Sequence, residues 1–379
     1  MKLVALFGSP APYTTPILNA LAKRLDLHAI YLAGENRVNR FADSWGVEPE
    51  FEYSVSWARG LDVPSVDLHL ELSAGVARRL NRLKPDGILL VSWGPTAAEP
   101  LLWSRWSGTS AVMWSESTVF SGLLRGSVST RVRGWITRAF DGYVTNGSQA
   151  TRYLEELGVQ PGRIVTSALP AGIASKSTVR ANRPSDRGVG FIFVGRLIPR
   201  KRPIELIKAF AFVREVVPNA TLTIVGDGPL DAELHEAARH VPGVRRVGHQ
   251  EGEALSSLYA ESDVLVLPAL REVWGVVVNE ALAHGLFVIA TDQVGSAHDL
   301  LDDETGIMLP ANDLTRLTPS LIKTTRTLDL SDVARGRRSS AVANCTPDRF
   351  AADIVQAVEI AVRGRIARRR PARKTGVAS

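Results

Sequence analysis

The sequence predicts an α/β protein built of two doubly wound, Rossmann-like domains that face each other across a cleft. Three observations predict it. A chain of 379 residues is two domains long at the usual ~150 residues each, and each can bury its own core. Short apolar runs alternate with segments of helical periodicity along the chain, the rhythm of βαβ units and parallel sheets. Near the middle, Ala174–Arg187 is rich in Ser, Lys, Arg, Asn and Pro and breaks that rhythm, as a linker does.

Each element follows from its residues. In the first half, Lys2–Phe7, His28–Leu32, Gly87–Ser92, Ala111–Trp114 and Gly142–Thr145 are apolar runs of strand length. Pro16–Lys23, Leu70–Leu83 and Ser148–Leu157 carry helical spacing, with Ser148 as an N-cap. In the second half, Gly190–Val194, Thr221–Val225, Val264–Leu267 and Leu286–Ala290 are strands. Pro203–Glu215 is a helix with proline at its first position, where the missing N–H costs nothing. Asn279–His284 lies on another helix, and Phe350–Val362 is a last amphipathic one. The expected domains are 1–172, a linker 173–187, a second domain 188–345, a closing helix 346–362 and a basic, disordered tail 363–379.

Composition sets limits on function. Hydrophobic residues at 45% and charged residues at 22% are ordinary for globular proteins and exclude a disordered, collagen-like or coiled-coil chain. The longest apolar runs, such as Val264–Pro268, fall far short of the ~20 residues that span a bilayer. Leu3–Phe7 is too short for a signal peptide's apolar stretch, so a first strand and a cytoplasmic location are expected. One cysteine, Cys345, excludes an intrachain disulfide and a cysteine-built metal site.

The formal net charge is +6, from 45 Lys and Arg against 39 Asp and Glu. Arg363, Arg365, Arg368, Arg369, Arg370, Arg373 and Lys374 concentrate in 363–379 without an acid, and the remaining 38 basic residues balance the 39 acids. Two readings stand for this segment: a solvated tail, or a tether to anionic lipid worth ~1 kcal/mol per basic residue near the surface. Nucleic acid fits less well, because no aromatic residue interleaves with the arginines. In Gly122–Phe140, Arg125, Arg131, Arg133 and Arg138 accompany Val132, Trp135, Ile136, Ala139 and Phe140. That helix either packs its apolar stripe on the sheet, the favoured reading, or lies on a membrane surface. Trp93, Trp103 and Trp106 are core residues by default, with stacking on sugar rings as the alternative.

The chemistry concentrates in the segment from Arg271 to Gly285. Two carboxylates, Glu272 and Glu280, stand eight positions apart, the first on the loop after a strand and the second within the next helix. Gly275 permits a tight turn at the helix start, leaving the N–H groups of Gly275, Val276 and Val277 for an anion in the cleft. Two acceptor carboxylates beside a phosphate site suit vicinal hydroxyls of a sugar and a ribose. Taken alone, the pair also fits a dipole-favoured acid and a solvated helix Glu. Further signals lie in the same half. Gly195-Arg196-Leu197 and Lys201 sit between a strand and a helix, where Arg as a fork and Lys as a point charge reach one diphosphate. Gly226 and Gly228 end the next strand, and His249 and Gln250 follow another and suit a base pocket.

These elements, in this order and spacing, resemble the second domain of family 4 glycosyltransferases, nucleotide-sugar-dependent retaining enzymes of the GT-B fold. The resemblance covers about residues 188–310 closely, and the Glu-x7-Glu segment with Trp274-Gly275, Asn279-Glu280-Ala281 and Gly285 is its most specific part. It implies that Arg196 and Lys201 bind the donor diphosphate, Glu272 the donor sugar and Glu280 the ribose. Gly226, Gly228, His249, Gln250, Trp274, Gly275 and Val276 complete the donor site. It also implies retention of anomeric configuration with no metal or other cofactor. The acceptor side falls to the first domain, with a glycan, lipid-linked, small-molecule or protein acceptor.

The first half departs from the family. Its usual glycine pair after the first strand is reduced to Gly8, with Tyr13, Thr14 and Thr15 supplying hydroxyls instead. The usual histidine after a middle strand is missing, and Glu116 is expected in its place, as a catalytic residue or as a turn carboxylate. These departures keep two alternatives open: a sugar-nucleotide epimerase or hydrolase on the same fold, and a nucleotide-sugar-binding protein without catalysis.

Overall fold

Two parallel sheets carry the chain, each with helices flanking it. The computed structural model describes residues 1–11, 13–32, 50–58, 60–63, 70–73, 75–91, 97–119, 127–171 and 188–369. The expected linker and Trp93 lie outside the described residues.

In the N-terminal domain β1 (Lys2–Phe7), α1 (Thr14–Ala22), β2 (Asp26–Tyr31) and β3 (Ser54–Trp57) come first. An antiparallel ribbon of β4 (Gly60–Val63) and β5 (Leu70–Ser73) follows. Then come α2 (Val76–Leu83), β6 (Gly87–Val91), α3 (Ala98–Ser107), β7 (Ser110–Ser115) and α4 (Ser127–Thr137). β8 (Gly142–Asn146), α5 (Gly147–Glu156) and β9 (Ile164–Ser167) close the domain. The strand order is β3-β2-β1-β6-β7-β8-β9, with every described pairing parallel. Leu3, Val4, Ala5, Leu6 and Phe7 are all buried, as a strand covered on both faces requires.

The second domain repeats the pattern. It contains β10 (Gly190–Val194), α6 (Pro203–Val216), β11 (Thr221–Val225), α7 (Asp231–Arg239), β12 (Val244–Val247), α8 (Gly252–Ala260) and β13 (Val264–Leu267). It continues through α9 (Val276–Ala283), β14 (Phe287–Thr291), α10 (Ala297–Leu300), β15 (Gly306–Leu309), α11 (Leu317–Thr327) and α12 (Asp332–Ser340). The order is β12-β11-β10-β13-β14-β15, again parallel. In each sheet the order reverses beside the first strand, β1 or β10, and ligand crevices form at the carboxyl ends of strands at such a point.

Two expectations need correction. The helix expected over Leu70–Leu83 is a strand followed by a helix. Leu70-Glu71-Leu72-Ser73 alternates with period two and pairs with β4, and Gly75, at φ 86°, breaks the chain before α2. The closing helix and tail are also different from the expectation. The helix α13 (Pro347–Arg369) runs past Val362 into the basic segment. It crosses back onto the N-terminal domain, where Ser167 donates to Asp353 at 2.8 Å and Gly142 makes room for the Ala357 carbonyl. Arg365 then reaches Asp141 at 2.7 Å and the Ser104 carbonyl at 2.7 Å. The Asp141 side chain is 0% exposed, and a buried carboxylate needs a charged partner. Residues 370–379 lie outside the described residues. Among the described residues no helix is long and apolar enough to cross a membrane.

Candidate functional site

The site begins with a clamp between two loops of the second domain. After β13, Leu270 donates its N–H to the Arg200 carbonyl at 2.7 Å, and Arg200 donates to the Arg271 carbonyl at 3.1 Å. The loop after β13 is thereby stitched to the loop after β10. Glu272 is held as a short strand against Val294, with its N–H on the Gln293 carbonyl at 2.8 Å. Its Oε2 lies 3.1 Å from Lys201 Nζ, and the two side chains are only 16% and 12% exposed. Lys201 reaches this position by lying across Gly195, where a Cβ would come within 2.8 Å of Nζ. The glycines expected at the ends of β10 and β11 are packed against each other. A Cβ at Gly226 would lie 2.1 Å from the Gly195 carbonyl oxygen, and one at Gly228 2.6 Å from that of Leu197. Leu197 N–H donates to the Asp227 carbonyl at 2.6 Å. Arg196 is exposed at the rim of the same loop.

Gly275 precedes α9 with φ 88°, and a side chain there would crowd Val294 and Glu272. The N–H groups that open α9, with Val276 at their head, precede the first intrahelical acceptors, and the Val278 N–H turns back to the Gly275 carbonyl at 2.9 Å. Glu280, one turn further into the helix than Val276, is buried. It accepts a hydrogen bond from the Tyr259 hydroxyl at 2.9 Å. Burial pushes its carboxyl up to about 7, with the Tyr259 bond opposing. His284 stacks on Tyr259 at 5.2 Å, bonds Ser256 Oγ at 2.8 Å and sits lower than an ordinary histidine because it is desolvated. His249 is exposed and bonds Glu251 at 2.7 Å, with Gln250 beside it. Both follow the Val247-Gly248 segment, whose carbonyls accept the Gly226 N–H.

Trp274 departs from its expected place among the donor-binding residues. Its ring is buried against the N-terminal domain, where a Cβ at Gly147 would lie 2.3 Å from Cζ3. Its Nε1 donates to Asn279 Oδ1 at 2.9 Å, and Asn279 Nδ2 donates to the Leu169 carbonyl at 2.8 Å. The flat apolar ring and the amide thus join the two domains. Asp299 does the same, accepting the Ser148 N–H at the start of α5. Ser148 is accordingly not the N-cap: Asn146 holds that position, and Asp299 supplies the carboxylate.

On the N-terminal side, Gly8 ends β1 and is half-buried. Thr14 and Thr15 are buried, against the expectation that they present hydroxyls to a diphosphate. Thr14 Oγ1 closes the turn before α1, bonding both the N–H and the carbonyl of Ala11 at 3.1 Å, and Thr15 meets Tyr53. Tyr13 is half-buried and lies beside Glu116, whose negative charge raises the phenol above its ordinary range. Glu116 follows β7 directly, bonds Asn146, and is raised by burial above the usual carboxylate range. The Trp114 indole donates to Asn146 Oδ1 at 2.7 Å. Asn146, Gly147, Tyr259 and Asp299 escaped sequence reasoning, and only the Asn-Glu-Ala run around Asn279 carried a visible signal.

The tryptophans divide by environment. Trp103 is buried and donates to Asn81 at 2.7 Å, whereas Trp106 is 80% exposed and Trp135 72%. Arg133 is buried and bonds the Tyr153 hydroxyl at 2.5 Å, so α4 packs through Arg133 and turns Trp135 outward. Asp302 accepts the Glu304 N–H and both the N–H and hydroxyl of Thr305, which makes it a turn residue.

Residues 188–327 match the family model described as Glycosyl transferases group 1. The chain is 28% identical over 295 residues to the phosphatidyl-myo-inositol mannosyltransferase of Mycobacterium leprae, covering 76% of this chain and 77% of that one. It is 28% identical over 219 residues to the glycogen synthase of Mycobacterium tuberculosis, covering 56% of this chain, and spans about half (53%) of that relative's length. Among solved structures, the lipopolysaccharide outer core galactosyltransferase WaaB superposes with a TM-score of 0.72 at 13% identity, covering 95% of this chain and 99% of that one. HepE of Anabaena in complex with UDP superposes with a TM-score of 0.71 at 17% identity, covering 95% and 100%. At these identities the likeness is one of fold.

Proposed function

We propose, from the match of residues 188–327 to the group 1 glycosyltransferase model and from the GT-B fold, that the protein transfers a sugar from a nucleotide-diphosphate sugar to an acceptor hydroxyl. The observation that carries the reading is the Lys201–Glu272 pair at 3.1 Å, held beside Gly275 at the start of α9. One cation, one carboxylate and a helix N-terminus converge where a sugar phosphate needs all three. Lys201 and the α9 N–H groups face the diphosphate, with Arg196 closing from the rim. Glu272 accepts hydrogen bonds from the transferred sugar, and Glu280 from the ribose.

The chemistry we assign needs little more. The bond from the anomeric carbon to the phosphate oxygen breaks, and charge builds on the departing diphosphate. Lys201, Arg196 and the helix dipole stabilise that charge, and such preorganised electrostatics are commonly the largest catalytic term. The acceptor oxygen attacks from the same face, and its proton passes to the departing phosphate oxygen. The configuration is therefore retained, without a metal ion or a dedicated side-chain base. UDP in HepE and the lipid-linked name of the mycobacterial mannosyltransferase support a nucleotide-sugar donor and a glycan or lipid acceptor.

Calorimetry with UDP and GDP, followed by nucleotide release from their hexoses with and without acceptor, tests the reading. Acceptor-dependent release supports transfer. Release without acceptor supports the epimerase or hydrolase, and binding without turnover the inactive binder.

A location at the inner face of an anionic membrane is part of the proposal. Trp106 and Trp135 are exposed on α3 and α4, Arg105 of α3 donates to the Ala139 carbonyl just past the end of α4, and Arg131 is exposed on α4. Exposed tryptophan next to arginine suits a lipid surface. Vesicles containing anionic lipid should bind the wild type, and Trp135→Ala should weaken that binding.

A further inference from the structure

Arg202 is a strained residue. Its backbone stands at φ 57°, ψ 42°, in the left-handed region. A residue with a Cβ is disfavoured there about 5- to 30-fold, and Pro203 presses the residue before it toward extended backbone instead. Among the described residues only Lys84 and Arg202 take a positive φ without being glycine. Lys84 is exposed and ends α2. Arg202 joins the short turn Pro199–Lys201 to α6 and directly follows the lysine of the clamp.

The Arg202 side chain explains how the conformation persists. Its guanidinium donates to the Ala311 carbonyl, just past β15, at 2.6 Å across 109 positions of sequence. The Ala311 N–H donates in turn to Asp292 Oδ1 at 2.9 Å. Gln293 is the next residue, and its carbonyl accepts the Glu272 N–H at 2.8 Å. Glu272 then meets Lys201 Nζ at 3.1 Å, and Lys201 is bonded to Arg202. The contacts close a ring. Both members of the clamp hang from the loop after β14, Glu272 through Gln293 and Lys201 through Arg202. The turn between them is tight, with Lys201 N–H on the Ile198 carbonyl at 3.0 Å and Arg202 N–H on that of Pro199 at 3.1 Å. Rotating the Arg202 backbone out of the left-handed region therefore swings the turn that carries Lys201. Strain of this kind survives only where the surroundings hold it in place.

We propose that Arg202 is a positioning residue, whose bond to Ala311 holds the left-handed backbone that aims Lys201 at the donor diphosphate. The inference rests on the sugar-transfer reading, and Arg202 acts through Lys201 rather than on the substrate. It has an unusual consequence for truncation. Glycine takes the left-handed conformation as readily as any other. Arg202→Ala loses the tether and keeps the Cβ, so the turn relaxes and Lys201 leaves its place. Arg202→Gly loses the tether together with the need for it.

The test compares wild type, Arg202→Ala, Arg202→Gly, Lys201→Ala and the double variant Lys201→Ala/Arg202→Ala, each checked for folding by circular dichroism. The readouts are kcat/KM for nucleotide release from the preferred UDP- or GDP-hexose and affinity for UDP and GDP by calorimetry. Arg202→Ala should lose about tenfold or more in kcat/KM, because a charged hydrogen bond to the leaving group is misplaced. Arg202→Gly should stay within about threefold of wild type. In the Lys201→Ala background, Arg202→Ala should cost less than about threefold, since the two changes remove one interaction. A merely structural role would weaken both backgrounds alike. Wild-type turnover in Arg202→Ala, a folded Arg202→Gly as impaired as Arg202→Ala, or an equal further loss on Lys201→Ala would overturn the inference and leave transfer standing. A wild type that binds neither nucleotide and releases none from any hexose would overturn the transfer reading, and this inference with it. If Arg202→Ala fails to fold, Arg202→Gly decides alone: near-wild-type turnover supports the inference, and a folded but impaired protein overturns it.

Discussion

Asp299 of the second domain accepts the Ser148 N–H of the first through both carboxylate oxygens, each at 3.1 Å. A carboxylate at a helix N-terminus satisfies a free donor and opposes the dipole. Here that cap bridges 151 positions of sequence. Asp299→Ala should lower stability by about 1–2 kcal/mol, as losing a helix cap does, read as a shift in the urea midpoint. Gly147→Ala should cost more, because the added methyl meets the Trp274 ring. An Asp299→Ala protein with an unshifted midpoint would show that the contact contributes nothing.

Glu280 makes stability depend on pH in a defined direction. Its folded carboxyl is raised to about 7 from an ordinary 4.5. Below the ordinary value both folded and unfolded forms hold the proton, and no difference arises. Between the two values the unfolded chain releases the proton first, so stability falls as pH rises and levels off above about 7. The whole fall is on the order of 3 kcal/mol, because a tenfold change in proton affinity is worth about 1.4 kcal/mol and the shift spans between two and three such steps. Glu280→Gln should flatten that slope in urea titrations at pH 5 and pH 8. The same variant should weaken nucleoside diphosphate binding by roughly tenfold, the loss of a hydrogen bond to a charged group. An unchanged slope would mean that Glu280 stays ionised in the fold.

Arg365 changes what the basic C-terminal segment is expected to do. A solvated tail would leave stability untouched when cut after Val362. In the structure that cut removes the 2.7 Å charged partner of Asp141, whose carboxylate keeps the Ala111 N–H at 3.1 Å and Arg105 at 4.0 Å among its partners. Leaving a buried carboxylate short of its partner should cost about 2–4 kcal/mol. Arg365→Ala should reproduce most of that loss in thermal melts. Arg363→Ala, on an exposed helix pair with Glu359, should cost less than about 0.5 kcal/mol.

The parallel core was legible because its strands are buried on both faces. Leu3–Phe7 and Val264–Leu267 are continuous apolar runs that read only one way. The edge strand β3 was not. It reads Ser-Val-Ser-Trp, a short run diluted by two serines, of which Ser54 is exposed. The residue types of the Lys201–Glu272 site were legible, because glycine spacing and charge mark a loop that approaches an anion. Side-chain direction was not. Nothing local says that Trp274 turns to Gly147, or that Thr14 turns back to Ala11, since both depend on partners set by tertiary packing.

Stereochemistry tests the front-face scheme independently. The product formed from an α-linked donor should be α-linked in the first NMR spectra recorded, and excess EDTA should leave the rate unchanged. An inverted product, or a rate abolished by EDTA and restored by a divalent cation, would contradict the assigned chemistry.

The clamp between Lys201 and Glu272 is the centre of the account, and Lys201→Ala tests it most directly. The measurement is kcat/KM for nucleotide release from the preferred nucleotide hexose, on protein whose circular dichroism and melting match wild type. Losing a charged hydrogen bond to the leaving group should cost about 1.5–3 kcal/mol in the transition state, roughly a 10- to 150-fold fall. A folded Lys201→Ala protein that turns over at the wild-type rate would contradict the placement of the diphosphate at this site.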